Sequence, residues 1–315
     1  MSNAPSPVQR PTFFQTIKDE LALFRTGRWD RSGYLFIAPM LLFYLVFQTW
    51  PIIRGFLMAF TDYRLNYPKT AWEFTGFANY IELFNDKNIL RYLSISVQAA
   101  LLNVPIVLAL ALLLSILISS VKRWAGAYRW LIYMPAVMPV SVVFLTWNEI
   151  FGPKFGFIAA LLRTVGIRLR LGILLNSETA LAATVLVENW RVVGFSVIML
   201  LVGIYSIDPE IFEAAAIDGA NWWSSFLHVT LPLLKNQLLV LMIGSSGALS
   251  MLVPQMLLTP NGGPKGSTMT FAYFMYLQGI QGDRRLGYAS SGYLLLAIFS
   301  VVWTYFWMKA LQERE

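Results

Sequence analysis

Apolar positions along the chain gather into long runs divided by polar stretches, without the alternating in-out period of a membrane β-barrel. Six runs, over residues 33–60, 93–118, 130–151, 180–205, 231–258 and 288–308, are long enough to cross a bilayer. A helix needs about 20 apolar residues for that crossing. It also satisfies its own backbone donors and acceptors, which hydrocarbon demands of any open-ended spanning structure. The predicted fold class is therefore all-α integral membrane with six transmembrane helices. The second and sixth runs carry no charged side chain, the first has Arg54 near its far end, and the fourth contains Glu188 and Arg191. Pro39, Pro51, Pro135, Pro139 and Pro254 lie inside runs and predict kinks or breaks there.

Composition agrees with the pattern. The 315 residues are 57% hydrophobic and only 13% charged, with mean hydropathy +0.58, against about 25% charge in a soluble domain. The net charge of +7 comes from bases scattered between the runs. That distribution suits a lipid bilayer partner and lacks the clustered basic face that nucleic-acid binding requires, so no nucleic acid is expected. Cysteine is absent and His228 is the lone histidine. Disulfides, thiol nucleophiles and cysteine or histidine metal sites are excluded with them; no metal, no catalytic residue and no cofactor in this chain is expected. The stretch 1–32 is polar, with Pro5, Pro7 and Pro11, and lacks the short apolar core of a leader, so the first run is expected to remain as an anchor. Bases outside the runs divide evenly between the two sides. Arg25, Arg28 and Arg31 directly precede the first run, which argues for a cytoplasmic N-terminal segment and, after six spans, a cytoplasmic tail over 309–315.

The connection 206–230 is the most informative stretch. Asp208 is a good N-cap, Pro209 suits the first helical position, and Glu210 complements the positive end of the helix dipole. Gly219 can end that helix in a left-handed turn, and a second short helix is expected over 222–229. A helix-turn-helix elbow beside the membrane results, acidic through Asp208, Glu210, Glu213 and Asp218.

Glu213-Ala214-Ala215, Gly219 after three intervening residues, and Val229-Thr230-Leu231-Pro232 after nine more resemble the EAA loop of ABC importer permeases, with Val229 where the pattern has isoleucine. Further landmarks resemble the sugar-type, MalF/UgpA-like permeases: 33–39 and Pro51 in the first run, 74–80 with Leu83 and Phe84, Trp147 with Gly156, Trp190 with Gly194 and Met199, and 259–264 with Thr268, Tyr276, Gly287 and Tyr288. The resemblance spans roughly residues 30 to 308. Pro254-Gln255 departs from the pattern, where an aromatic or acidic residue is more usual. The resemblance implies that the elbow is cytoplasmic and docks on a separate ATPase. In it Glu213 would be the electrostatic contact, Ala214 and Ala215 the close-packed surface, Asp218 part of the acidic face and Gly219 the turn. It also implies the partners: a second homologous, MalG-like permease completing a heterodimer, two ATPase subunits that bind ATP and Mg, and an extracytoplasmic solute-binding protein. The location it implies is a bacterial or archaeal cytoplasmic (inner) membrane.

The chain itself has no phosphate-binding loop. The nearest string, 262–268, places Lys265 before Gly266 instead of before Ser or Thr, so ATP hydrolysis is expected in a partner and this chain is not an enzyme. Polar residues inside spans default to functional candidates. Those for a solute path are Asn148 and Glu149 in the third run, Glu188, Trp190 and Arg191 in the fourth, and Ser246, Ser250 and Gln255 in the fifth. Glu188 precedes Tyr205 by 17 residues, which at 1.5 Å each puts the fourth-run cluster roughly 25 Å from that end, toward the outer interface. Glu188 and Arg191 also have the spacing of a helix-stabilising ion pair. Two alternatives remain open at this level: an ion-coupled secondary transporter, and an importer whose cargo is anionic, a polyol or an oligosaccharide.

Overall fold

The computed structural model describes residues 32–66, 73–121, 123–153, 156–166, 172–282 and 284–312. The basic stretch holding Arg25, Arg28 and Arg31 lies outside the described residues, as do Lys122, Lys154, Arg168, Arg170 and positions 313–315 of the tail. The chain divides into two compact units, Met1–Arg54 and Gly55–Glu315.

The first apolar run becomes one helix, α1, made of Ser32–Tyr44, a π-helical turn Leu45–Thr49, and Trp50–Met58. The prolines do not divide it as the sequence suggested. Pro51 has no N–H to give to the carbonyl four residues back, and its ring crowds that carbonyl; widening the turn just before it relieves both problems. The same device recurs at Phe226–Thr230, a π-helical turn two residues before Pro232.

The second unit is built on two long helices, α3 (Ile89–Ser120) and α7 (Ala180–Tyr205), preceded by a short helix α2 (Ala78–Asn85). At 1.5 Å per residue α3 and α7 are about 48 and 39 Å long, enough to cross a hydrocarbon core of about 30 Å. Ile95, Ala99 and Ala100 pack with Leu181 and Val185, while Val107, Ala111 and Ile118 pack with Val193, Val197, Leu200 and Leu201. Contacts thus advance in the same direction on both helices, so α3 and α7 run parallel.

Parallel neighbours force the chain between them to return along their length. It does so through α4 (Ala125–Val137) and α5 (Val140–Ile150), which are bent by 95° to each other. Arg129 lies 5.7 Å over the Tyr205 ring, and Val143 and Phe144 reach Ala183 and Val187 at the far end. The bend falls at Met138, which is extended because the ring of Pro139 disfavours helix in the residue before it. Between those points α4 lies so close to α7 that a Cβ on Gly194 would collide with the Ile132 carbonyl. Small residues permit this approach of helix backbones.

After a short helix α6 (Phe157–Thr164), α7 leads into α8 (Pro209–Ile217) and then α9 (Trp222–Leu233). α9 is bent by 66° at Leu234 to α10 (Lys235–Ser250), whose last turn is 3-10. Leu234 and Leu241 join the Val193–Leu201 end of the seam, and Ala248 and Leu249 the Ile95–Leu181 end, so α10 runs back against α3 and α7. The fifth apolar run therefore differs from its expected form at both ends. Its first residues belong to α9, and the interruption falls at Met251 and Leu252 instead of at Pro254. Pro254 sits in the first turn of α11 (Val253–Leu258), a place where a missing N–H costs nothing.

α12 (Phe271–Ile280) and α13 (Leu286–Gln312) complete the unit. Tyr288 and Leu296 pack by Leu83 and Ile89, and Phe299 and Trp303 further along α3, so α13 parallels α3. Among the described residues four helices are long and apolar enough to cross a membrane, or six if each bent pair counts as one span.

The two ends of this unit differ in character. At one end polar clasps tie distant segments together. Asn79 donates from Nδ2 to the Ala59 and Thr61 carbonyls at 3.0 and 2.9 Å. Arg285 grips Glu82 through two hydrogen bonds of 2.6 and 2.5 Å and lies 4.8 Å over the Tyr288 ring. The hydrogen bonds from Arg285 hold the Glu82 carboxyl below its ordinary pKa. The opposite end carries α8, α9 and the end of α13.

Candidate functional site

Two features stand out from this frame: a cavity in the middle of the bundle and an exposed helical hairpin at one end.

The cavity, about 750 Å³, opens between α3, α4, α5, α7 and α10. That volume is typical of small-molecule sites. A polar layer at its side splits the α3–α7 seam into the two apolar halves described above. Asn103 Nδ2 donates to Asn189 Oδ1 across 3.4 Å, and Asn189 Nδ2 donates to the Val185 carbonyl at 3.0 Å. Flanking this contact along α7, Glu188 and Arg191 form a forked pair, with Nε to Oε2 at 2.9 Å and Nη2 to Oε1 at 2.5 Å. The i,i+3 spacing stacks the two side chains on one helix face. Among the described residues they are the only charged side chains lining the cavity.

The opposite wall follows from the Gly244-Ser-Ser-Gly-Ala-Leu-Ser250 stretch. Small residues loosen α10 into its 3-10 turn and then break it at Met251. Non-helical backbone at this depth is tolerated because it lines a cavity. Ser245 and Ser250 face the space.

Of the residues singled out from sequence, Glu188, Arg191 and Ser250 line the cavity. The other five are not among its lining residues. Asn148 and Glu149 are exposed near the end of α5, and Trp190 stands edge-on to Trp147 with ring centroids 5.5 Å apart. Ser246 turns its hydroxyl back to the Met242 carbonyl at 2.9 Å. Gln255 is fully buried, and neither atom of its amide has a hydrogen-bond partner among the described residues.

Glu188 also lies one residue from Asn189, which meets Asn103 near the midpoint of α3. Sequence reasoning missed Asn103 and Ser196. The single asparagine in a run without charged side chains was the available signal.

The hairpin forms as its sequence dictates. The Asp208 carboxylate accepts from Glu210 N at 3.1 Å and Pro209 opens α8. The helix ends with Ala220 N donating to the Ala215 carbonyl at 2.9 Å and Gly219 N to the Ala216 carbonyl at 3.1 Å. This paired closure needs a left-handed residue, and Gly219 has φ +83. Asn221 then caps α9 by accepting from Ser224 N at 2.8 Å. Glu213, Ala214, Asp218 and Gly219 are exposed and Ala215 is half-buried. Apolar side chains accompany them in the open: Ile217 is 87% and Trp222 66% exposed. Among the described residues none of Asp208, Glu210, Glu213 and Asp218 has an ion-pair partner.

Comparison with models of known protein families finds no match. Among curated proteins the chain is 31% identical over 284 residues to the arabinooligosaccharides transport system permease protein AraP of Bacillus subtilis (strain 168), covering 86% of each chain. Among solved structures it is similar to a bacterial ABC transporter involved in the import of the acidic polysaccharide alginate. The TM-score is 0.78 at 22% identity, over 93% of this chain and 99% of that one. A bacterial alginate ABC transporter in complex with an alginate pentasaccharide-bound periplasmic protein aligns at TM-score 0.72 and 21% identity, over 94% and 96%.

Proposed function

The chain belongs to the sugar-type permeases of ABC importers, and from that premise we propose that it forms one half of a path carrying a sugar or sugar-like solute across the cytoplasmic membrane, driven by a separate ATPase at the α8–α9 hairpin. The observation that carries the coupling reading is that hairpin. It exposes four carboxylates with no ion-pair partner among the described residues, beside exposed Ile217 and Trp222. An acidic, partly apolar surface of this kind suits a partner with a basic-rimmed groove.

In this reading Glu213 and Asp218 meet the partner's positive charge, while Ala214 and Ala215 let its backbone come close. Gly219 keeps α8 turned out from the bundle, and the hairpin end and the C-terminus face the cytoplasm. ATP and Mg belong to two partner ATPase subunits. A second, MalG-like permease completes the path, and an extracytoplasmic binding protein delivers the solute, as the periplasmic protein in the similar complex suggests. The cavity lined by Glu188, Arg191 and Ser250 is this chain's part of the path. An ion-coupled secondary transporter finds no support among the relatives.

The test uses the full complex. Glu213→Lys and Gly219→Pro should each abolish solute-stimulated ATPase activity and uptake, with the permease still inserted in normal amount. Full uptake in either variant, with an undiminished share of ATPase co-purifying, would overturn the coupling role.

A further inference from the structure

The charge balance of the cavity wall restricts what it can carry. Its two charged side chains bind each other through both oxygens of Glu188 and two nitrogens of Arg191. Their sum is zero and their strongest hydrogen-bonding directions are occupied. The rest of the polar wall consists of neutral donors and acceptors, Asn103, Tyr133, Ser196, Ser245 and Ser250, and Phe195 adds aromatic surface.

Hydroxyl-rich, uncharged rings match such a lining, because neutral polar groups and aromatic faces satisfy their two kinds of surface. A carboxylate does not. Away from bulk water it needs a compensating cation. Among the described lining residues the one cation is already held by Glu188, and to reach Arg191 an acidic sugar would have to displace that carboxylate while remaining beside it. Like charges brought together in this way repel.

We infer that this half of the path selects neutral saccharides over acidic ones, and that Glu188 sets the preference by occupying the charge of Arg191. The inference rests on the reading of the cavity as solute path, so its test separates the two. The purified transporter complex is titrated with lactose, a neutral probe, and with digalacturonate, an acidic probe of similar size, and binding is followed by ligand-observed NMR. The wild type should prefer lactose by at least about tenfold, the equivalent of about 1.4 kcal/mol. Glu188→Gln frees Arg191 and should reverse the preference, with digalacturonate binding that weakens as salt rises. The exchanged pair Glu188→Arg with Arg191→Glu restores internal neutrality. It should bring the lactose preference back, which separates the effect from a folding defect.

Ser250→Trp fills the cavity and should remove both probes in every background. If it does so while the wild type accepts digalacturonate as well as lactose, or while Glu188→Gln leaves the preference unchanged, the selectivity inference falls and the path reading stands. If lactose fails to bind the wild type, or Ser250→Trp leaves binding intact, the path reading falls and takes the inference with it.

Discussion

The bundle interior and the hairpin treat acidic residues in opposite ways. Inside, Glu188 is matched within one helical turn by Arg191, and the pair is largely enclosed, with 16% and 22% of the side-chain surfaces exposed. On the hairpin, Asp208, Glu210, Glu213 and Asp218 stand in the open; Asp208 caps α8 and the others have no ion-pair partner among the described residues. A charge removed from water must be neutralised where it stands. A charge left in water can wait for something outside the chain. The difference separates the part of the molecule that must be complete in itself from the part that, in the proposed function, a partner completes.

The sharpest way to break this contrast is to leave a buried charge alone. Arg191→Leu strands the Glu188 carboxylate and should cost about 3–5 kcal/mol, whereas replacing both residues by leucine should cost far less. Thermal unfolding in detergent would show it, and a single variant as stable as the double would contradict the interior half of the comparison. Glu213→Ala, by contrast, should shift stability by no more than about 0.5 kcal/mol.

Next in size is Gly194→Leu, which drives a side chain into the Ile132 carbonyl where α4 crosses α7. Overpacking of this kind costs about 1–3 kcal/mol, and cross-linking between α4 and α7 should fall with it. Asp208→Ala removes the N-cap of α8 and should cost about 1 kcal/mol. That loss is local, seen as faster amide exchange in α8 with the unfolding midpoint of the bundle unmoved.

The smallest effect concerns the opposite end. Arg285 holds the Glu82 carboxyl below its ordinary pKa, so the clasp contributes stability above the usual glutamate range. That contribution is lost as pH falls through the depressed value. Wild type and Glu82→Gln should therefore differ slightly in unfolding midpoint near neutral pH and converge in acid. A difference that grows as pH falls would reverse the sign.

Much of the local structure was legible because its causes are local. Apolar runs announce helices, Asp208 and Pro209 announce a helix start, and the interval from Glu213 to Gly219 contains the turn that closes α8. The prolines were legible as irregularities and misleading in detail. Pro51 is absorbed by a π-turn and Pro254 opens a helix, while the large bends fall at Met138, just before Pro139, and at Leu234. Whether a proline kinks, starts or merely widens a helix depends on which neighbours can take up the freed carbonyl, and neighbours are a tertiary matter.

By itself the sequence determined the membrane class, the acidic elbow and the absence of a nucleotide loop, since composition and short-range spacing suffice for each. Tertiary structure alone decided that α3 and α7 lie parallel, that Asn103 meets Asn189, and that Glu188, Arg191 and Ser250 share one cavity while Asn148, Glu149, Trp190, Ser246 and Gln255 do not line it. Those relations join residues tens of positions apart, and the chain order carries no record of which helix faces come together once each has satisfied its own backbone.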